Sequence, residues 1–119
     1  MTHGPIQPDG VAKPSSPYSP VFVSGDLVYT AGQIGEGDDI ASQTRAALDN
    51  LMTCLEAAGC TVADVIKVNG YLTDLANFAT YNEIYREYFK EPYPARTTVG
   101  AALAPGLLVE VEAVARRPG

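Results

Sequence analysis

A chain of 119 residues is one domain's worth of protein, large enough for its own core yet small enough that association would help to bury apolar faces. Hydrophobic residues make up 46% and charged residues 18%, the balance of an ordinary globular protein and not of a disordered one. The net charge is −6 and the basic side chains are scattered, adjacent only at Arg116-Arg117, which argues against binding nucleic acid through the field of the whole molecule.

The chain has no apolar run long enough to span a membrane and no basic-then-apolar start, so a cytoplasmic location is expected. Cys54 and Cys60 have no Cys or His near them at metal-ligand spacing, and the one histidine is His3. A metal site, a disulfide framework and a histidine-based triad are therefore not expected, and Cys54 reads as a small core hydrophobe.

Residues 1–20 hold five prolines with Gly4, Gly10, Ser15 and Ser16 among them. Regular structure is not expected there, and residues 1–16 read as a flexible arm ahead of a single domain over 17–119. Tyr18, in Pro17-Tyr18-Ser19-Pro20, is either a surface aromatic used for packing or a side chain folded over an edge or pocket. Val21–Ser24, Gly25-Asp26 and Leu27–Ala31 predict strand, tight turn, strand. Gly32-Gln33-Ile34-Gly35-Glu36-Gly37 follows, a bulge or turn without the lysine and spacing of a phosphate loop.

Asp38 or Asp39 can cap a helix beginning at Ile40, in which Ala47, Leu48, Leu51, Leu55 and Ala58 keep a helical period up to Gly59. Val62–Thr73 predicts a strand region, with Gly70 as a bulge or a point of close backbone approach. Asp74 or Asn77 caps a second helix through about Phe89, on which Phe78, Tyr81, Tyr85, Tyr88 and Phe89 form an aromatic stripe suited to core packing. The order strand, strand, helix, strand, helix, strand, strand predicts an α+β fold: one mixed sheet with two helices on one face, the other face solvated or meeting another subunit.

The last two predicted strands lie in Pro94 to Glu112 and carry the chemistry. Arg96, Thr98 and Gly100 alternate with Thr97, Val99 and Ala101, while Val109, Val111 and Ala113 alternate with Glu110, Glu112 and Val114. Ala104-Pro105-Gly106 between them signals a turn. With that turn centred on Pro105, residue 98 lies opposite 112, and Arg96, Thr98, Glu110 and Glu112 share a face. Two readings follow: a solvated face with weak cross-strand ion pairs, or an anion site in which Arg96 grips a carboxylate and a glutamate handles a water. In this register Arg96 and Glu110 are too far apart for one small ligand, so a shared site needs a bulge, a different register or a neighbouring subunit.

Pro17-Tyr18-Ser19-Pro20, Tyr29 to Ile34 (YTAGQI), Ala47 to Leu51 (ALDNL), Ala57-Ala58-Gly59, Asp74 to Tyr85 (DLANFATYNEIY), Pro94-Ala95-Arg96 and Val109 to Ala113 (VEVEA), taken together and in this order, resemble the RidA family, also called YjgF/YER057c/UK114. The resemblance runs from about residue 17 to residue 116. It implies a chorismate-mutase-like α+β subunit that forms a homotrimer with ligand clefts between subunits. It also implies hydrolysis of reactive imines and enamines, such as 2-aminoacrylate and 2-iminopropionate, to 2-keto acids and ammonia with no cofactor or metal.

Carried over by position, the resemblance gives Arg96 the substrate carboxylate and Glu110 the attacking water. Tyr18 would lie in the cleft, the main chain near Gly32 and Thr98 would seat the substrate, and Asn82 would line the cleft or support its structure. Glu112 would be a structural or surface carboxylate. The chain departs from the common pattern at Ala31, where many members have Ser, at Thr97, where Ser is usual, and at Thr98, where many have Cys. The segments joining Arg96 to Glu110 and Gly35 to Asp39 are short. These departures leave the clamp and the water-positioning glutamate in place and bear on substrate range.

Three readings of function stand at this point: an imine deaminase, including a specialised one serving a particular pathway; a non-catalytic module that captures small carboxylic acids; and an RNA-acting protein. The acidic balance and the missing basic stripe oppose the last.

Overall fold

The computed structural model describes residues 3–118; Met1 and Thr2 of the expected arm and Gly119 of the expected domain lie outside them. Strands β1 (His3–Ile6), β2 (Val21–Ser24), β3 (Leu27–Thr30), β4 (Val65–Leu72), β5 (Ala95–Gly100) and β6 (Val109–Arg116) form one sheet, in the order β1-β2-β3-β6-β4-β5. Helices α1 (Ile40–Ala57) and α2 (Phe78–Tyr88) pack on each other, and α1 lies across β6 and β3. Only β4 and β5 are parallel, joined by α2 as the crossover that a parallel pair requires. No helix among the described residues is long and apolar enough to cross a membrane.

Local chemistry accounts for the element ends. Asp39 caps α1 by accepting from the Ser42 backbone N–H at 2.8 Å, while Ser42 Oγ accepts from the Asp39 N–H, a reciprocal capping box. The helix stops where Gly59 takes a φ of +81° that a side chain would oppose. The β2–β3 hairpin forms as expected, with Gly25 at φ +64° in its turn. The core lies between the helices and one sheet face: Leu48, Leu51 and Leu55 of α1, Val68 of β4, and Val109 and Val111 of β6 are fully buried. Each such aliphatic side chain contributes about 1.5–3 kcal/mol relative to exposure.

Two expectations are corrected. Residues 1–20 are not wholly irregular, because His3–Ile6 pairs antiparallel with β2, His3 against Ser24 and Ile6 against Val21. Pro5 tolerates this because β1 is an edge strand, where a missing N–H leaves no ladder partner unpaired. The second correction concerns Pro94 to Glu112. β5 and β6 are not neighbours, since β4 lies between them, parallel to β5 and antiparallel to β6.

That insertion changes which residues share a face. Val68 lies opposite Arg96 on one side and Ala113 on the other, and Gly70 lies opposite Thr98 and Val111. Arg96 and Thr98 therefore face the helices, with the buried residues of β6. Tyr71 lies opposite Val99 and Glu110, and Asn69 opposite Thr97 and Glu112, so Glu110 and Glu112 face the other way. Arg96 and Glu110 stand on opposite faces of the sheet. The expected common polar face does not exist within the chain, because a polar residue on an edge strand can face half-covered helix as readily as solvent.

Candidate functional site

The residues singled out in the sequence fall into two clusters. The first is built where β5 meets α2. Arg96 reaches back over the aromatic stripe, with its guanidinium carbon 4.8 Å from the ring centre of Tyr85, 5.5 Å from Phe78 and 5.9 Å from Tyr81. Arg96 Nη1 donates to Asn82 Oδ1 at 2.8 Å. The rings and the amide hold the planar fork in place, and among the described residues Arg96 forms no ion pair. The remaining N–H donors are free for an anion.

Beside them opens a cavity of about 270 Å³ lined by Asn82, Tyr85, Arg86, Tyr93, Pro94 and Arg96. Gly70 lets the Tyr81 ring pack down on β4: a Cβ there would stand 2.5 Å from the Tyr81 hydroxyl oxygen, so this is the point of close backbone approach expected from the sequence. The hydroxyls of Tyr81, Tyr85 and Thr98 are buried and unpartnered. Burial raises the Tyr85 phenol to about 12, so it is a neutral donor throughout the physiological range.

The second cluster is on the open face, where β6 meets the loop after β3. Gln33 pairs with Val111 through both backbone bonds, Gln33 N–H to Val111 O at 2.6 Å and Val111 N–H to Gln33 O at 3.0 Å. This bridge pins Gly32 directly beside Glu110, so closely that a Cβ on Gly32 would fall 2.0 Å from Glu110 Oε2. Glu110 is half-buried; that burial, and after it the Glu112 carboxylate, raises its pKa above the ordinary glutamate value. Among the described residues the Glu110 carboxylate has no hydrogen-bond partner, whereas Glu112 accepts from Asn69 Nδ2 at 3.2 Å. Glu110 is thus the free carboxylate and Glu112 the partnered one. Tyr18, more than half exposed, lines a cavity of about 280 Å³ together with Gly32, Gln33, Ile34 and Asn50.

Asn82, Arg96 and Thr98 thus belong to one cluster and Gly32 and Glu110 to the other, while Tyr18 shares a cavity with Gly32 that Glu110 does not line. The sequence reading treated the aromatic stripe only as core packing and missed its second task of presenting π faces to Arg96. The available signal was the period: Phe78, Tyr81 and Tyr85 recur at three and four residues, so a cation above that helix face meets all three. Arg86 and Tyr93 were also missed, and nothing in their immediate sequence marks them. Among the described residues no group of three or more His, Cys, Asp or Glu is arranged to hold a metal.

Residues 10–117 match the family model described as Endoribonuclease L-PSP. A RutC family protein of Pyrococcus horikoshii is 44% identical over 116 residues, covering 90% of this chain and 92% of its own. The human 2-iminobutanoate/2-iminopropanoate deaminase is 39% identical over 108 residues, covering 83% of this chain and 79% of its own. Among solved structures, Escherichia coli TdcF with bound serine superposes with a TM-score of 0.90 at 34% identity, over 97% of this chain and 98% of that one.

Proposed function

This chain belongs to the Endoribonuclease L-PSP family, the YjgF/RidA family, and on that premise we propose that it hydrolyses small 2-imino acids and their enamine tautomers to 2-keto acids and ammonia. The observation that carries this is a rigidly held guanidinium without an ion partner, Arg96, on one face of the sheet and an unpartnered carboxylate of raised pKa, Glu110, on the other. The deaminase names among its relatives and the serine bound to TdcF support a small carboxylate-bearing ligand.

In this reading Arg96 takes the substrate carboxylate in a two-pronged grip, and Asn82 fixes the angle of the fork. Glu110 accepts a proton from a water as that water adds to the imine carbon, and the raised pKa makes it a better base than a free carboxylate. The imine nitrogen is protonated as the carbinolamine forms; Glu110 then gives the proton it took from water to that nitrogen, the C–N bond breaks as the hydroxyl oxygen becomes the C=O of the keto acid and its proton returns to solvent, and the nitrogen leaves as ammonia. Gly32 leaves room for the Glu110 carboxylate, Thr98 seats the substrate beside Arg96, and Tyr18 covers the water side.

Because Arg96 and Glu110 lie on opposite faces of one sheet, the site is completed between copies of the chain, the Arg96 cluster of one meeting the Glu110 cluster of the next in a homotrimer. The test is the release of keto acid from 2-iminopropionate by Arg96→Ala, by Glu110→Gln and by oligomers mixed from the two. Each variant alone should lose at least 10²-fold in kcat/KM, and mixed oligomers should regain activity, since an Arg96 from one chain then meets a Glu110 from the other. Full activity in Arg96→Ala would sink the deaminase reading. Inactive mixed oligomers would sink the shared site. Saturable binding of small carboxylates without turnover by the wild type would point instead to a binding module.

A further inference from the structure

The cavity beside Arg96 holds a second guanidinium whose charge the proposed reaction does not use. Arg86 lines it together with Arg96, Asn82, Tyr85 and Tyr93, and no carboxylate is among the lining residues. Of the acids near it on α2, Glu87 is taken up by Arg45, whose Nη2 lies 2.8 Å from Glu87 Oε2, and Glu83, three residues before Arg86 on the same helix face, is in neither ion pair found among the described residues. Neither ion pair among the described residues includes Arg86. The cavity lining thus carries two arginines and no acidic residue.

Spacing gives the second guanidinium a use. Asn82, which holds Arg96, and Arg86 are four residues apart on α2 and so lie on one face, with Cβ atoms about 5–6 Å apart. Arg86 and the Arg96 that Asn82 holds thus line one cavity, whose volume of about 270 Å³ has room for a chain of four or five carbons with a carboxylate at each end. Tyr85, almost fully buried between them in sequence, contributes its ring to the cavity wall, and its hydroxyl is unpartnered.

We propose that Arg86 is a specificity-determining residue that recognises a second carboxylate, so that the preferred substrates are 2-imino dicarboxylic acids of four or five carbons. This rests on the deaminase reading above: Arg96 takes the carboxylate next to the imine carbon, Arg86 takes the one at the far end of the side chain, and water replaces the imine nitrogen, which leaves as ammonia.

The test compares 2-iminoglutarate with 2-iminopropionate, each generated in situ by an amino-acid oxidase with catalase present, in wild type, Arg86→Gln and Arg86→Lys. The wild type should favour the dicarboxylate in kcat/KM, and Arg86→Gln should lower the ratio of the two by roughly tenfold, as loss of a charge-assisted hydrogen bond would. Arg86→Lys should keep part of the preference. The same ratio in wild type and Arg86→Gln would overturn the proposal while leaving the deaminase reading intact. If neither imine is hydrolysed, the deaminase reading fails, and calorimetric binding of the stable keto acids decides. Tighter binding of 2-oxoglutarate than of pyruvate, lost in Arg86→Gln, supports the second carboxylate site; equal binding overturns it.

Discussion

Replacing Gly32 by alanine tests the proposed role of Glu110 without touching the carboxylate itself. The new Cβ would stand 2.0 Å from Glu110 Oε2, 2.7 Å from Cδ and 2.9 Å from Cγ, and Gly32 is not among the glycines with positive φ. The backbone therefore accepts alanine, and what must yield is the end of a flexible side chain. To restore an ordinary contact the carboxylate has to withdraw by more than an ångström. Misplacing a catalytic group by about 1 Å can cost roughly 10²-fold in rate, or about 2.7 kcal/mol of barrier. Gly32→Ala should accordingly lose about that much kcat in a coupled assay for keto acid release, with thermal unfolding close to wild type. In the double variant with Glu110→Gln the two losses should not multiply, because alanine acts only by moving a group the second change has already neutralised. Wild-type kcat in Gly32→Ala, or full multiplication of the two effects, would refute the argument.

Glu110→Gln has a second expected effect, on stability. Burial raises the Glu110 pKa in the folded chain, so any contribution of its protonated form is complete below the ordinary value of about 4.3 and is lost as pH rises through the raised folded value; at neutral pH the ionised group is a cost. Thermal melts should therefore show Glu110→Gln more stable than wild type at pH 7, with the advantage vanishing near pH 4, and a variant less stable at pH 7 would contradict this. Gln43→Ala should destabilise the fold by about 2–4 kcal/mol, read from urea unfolding. The buried amide donates to the Gly37 and Gly106 carbonyls at 3.1 and 3.0 Å and accepts from the Leu108 N–H at 2.8 Å, and a loss within about 0.5 kcal/mol, as at an ordinary surface site, would show that these bonds are readily replaced by water.

Elements whose signal is local were legible in the sequence. The Asp39 cap, the period from Ile40 to Ala58, the Gly59 stop and the Gly25-Asp26 turn each depend on residues a few positions apart, and the structure follows them. Pairing across the sheet was not legible. Nothing in Ala95–Gly100 or Val109–Arg116 says that Val65–Leu72 will lie between them, and that one insertion turned an expected shared face into two faces. β1 was missed because proline content was read as excluding strand, whereas an edge strand has no use for the N–H that Pro5 lacks. Gln43 was passed over because a polar residue on a helix carries no periodic signature, and its three partners lie in loops up to 65 positions away.

The division of the candidate site also bears on why this sheet leaves one face uncovered. Phe22 and Tyr29, paired on β2 and β3, are 38% and 44% exposed on the open face that carries Glu110, and Val99 is 42% exposed at that face's far edge, apolar side chains that a solitary chain would hold against water at a cost. A copy docked there would cover those rings and desolvate Glu110 further, pushing its pKa higher still and strengthening it as a base. Association and activation of the carboxylate would then be one event. Arg96 needs no such help, since Asn82 and three rings already hold it within the single chain. On the proposed reading, the carboxylate-binding half of the site is therefore preformed in each subunit, while the water-activating half acquires its full chemistry only on assembly.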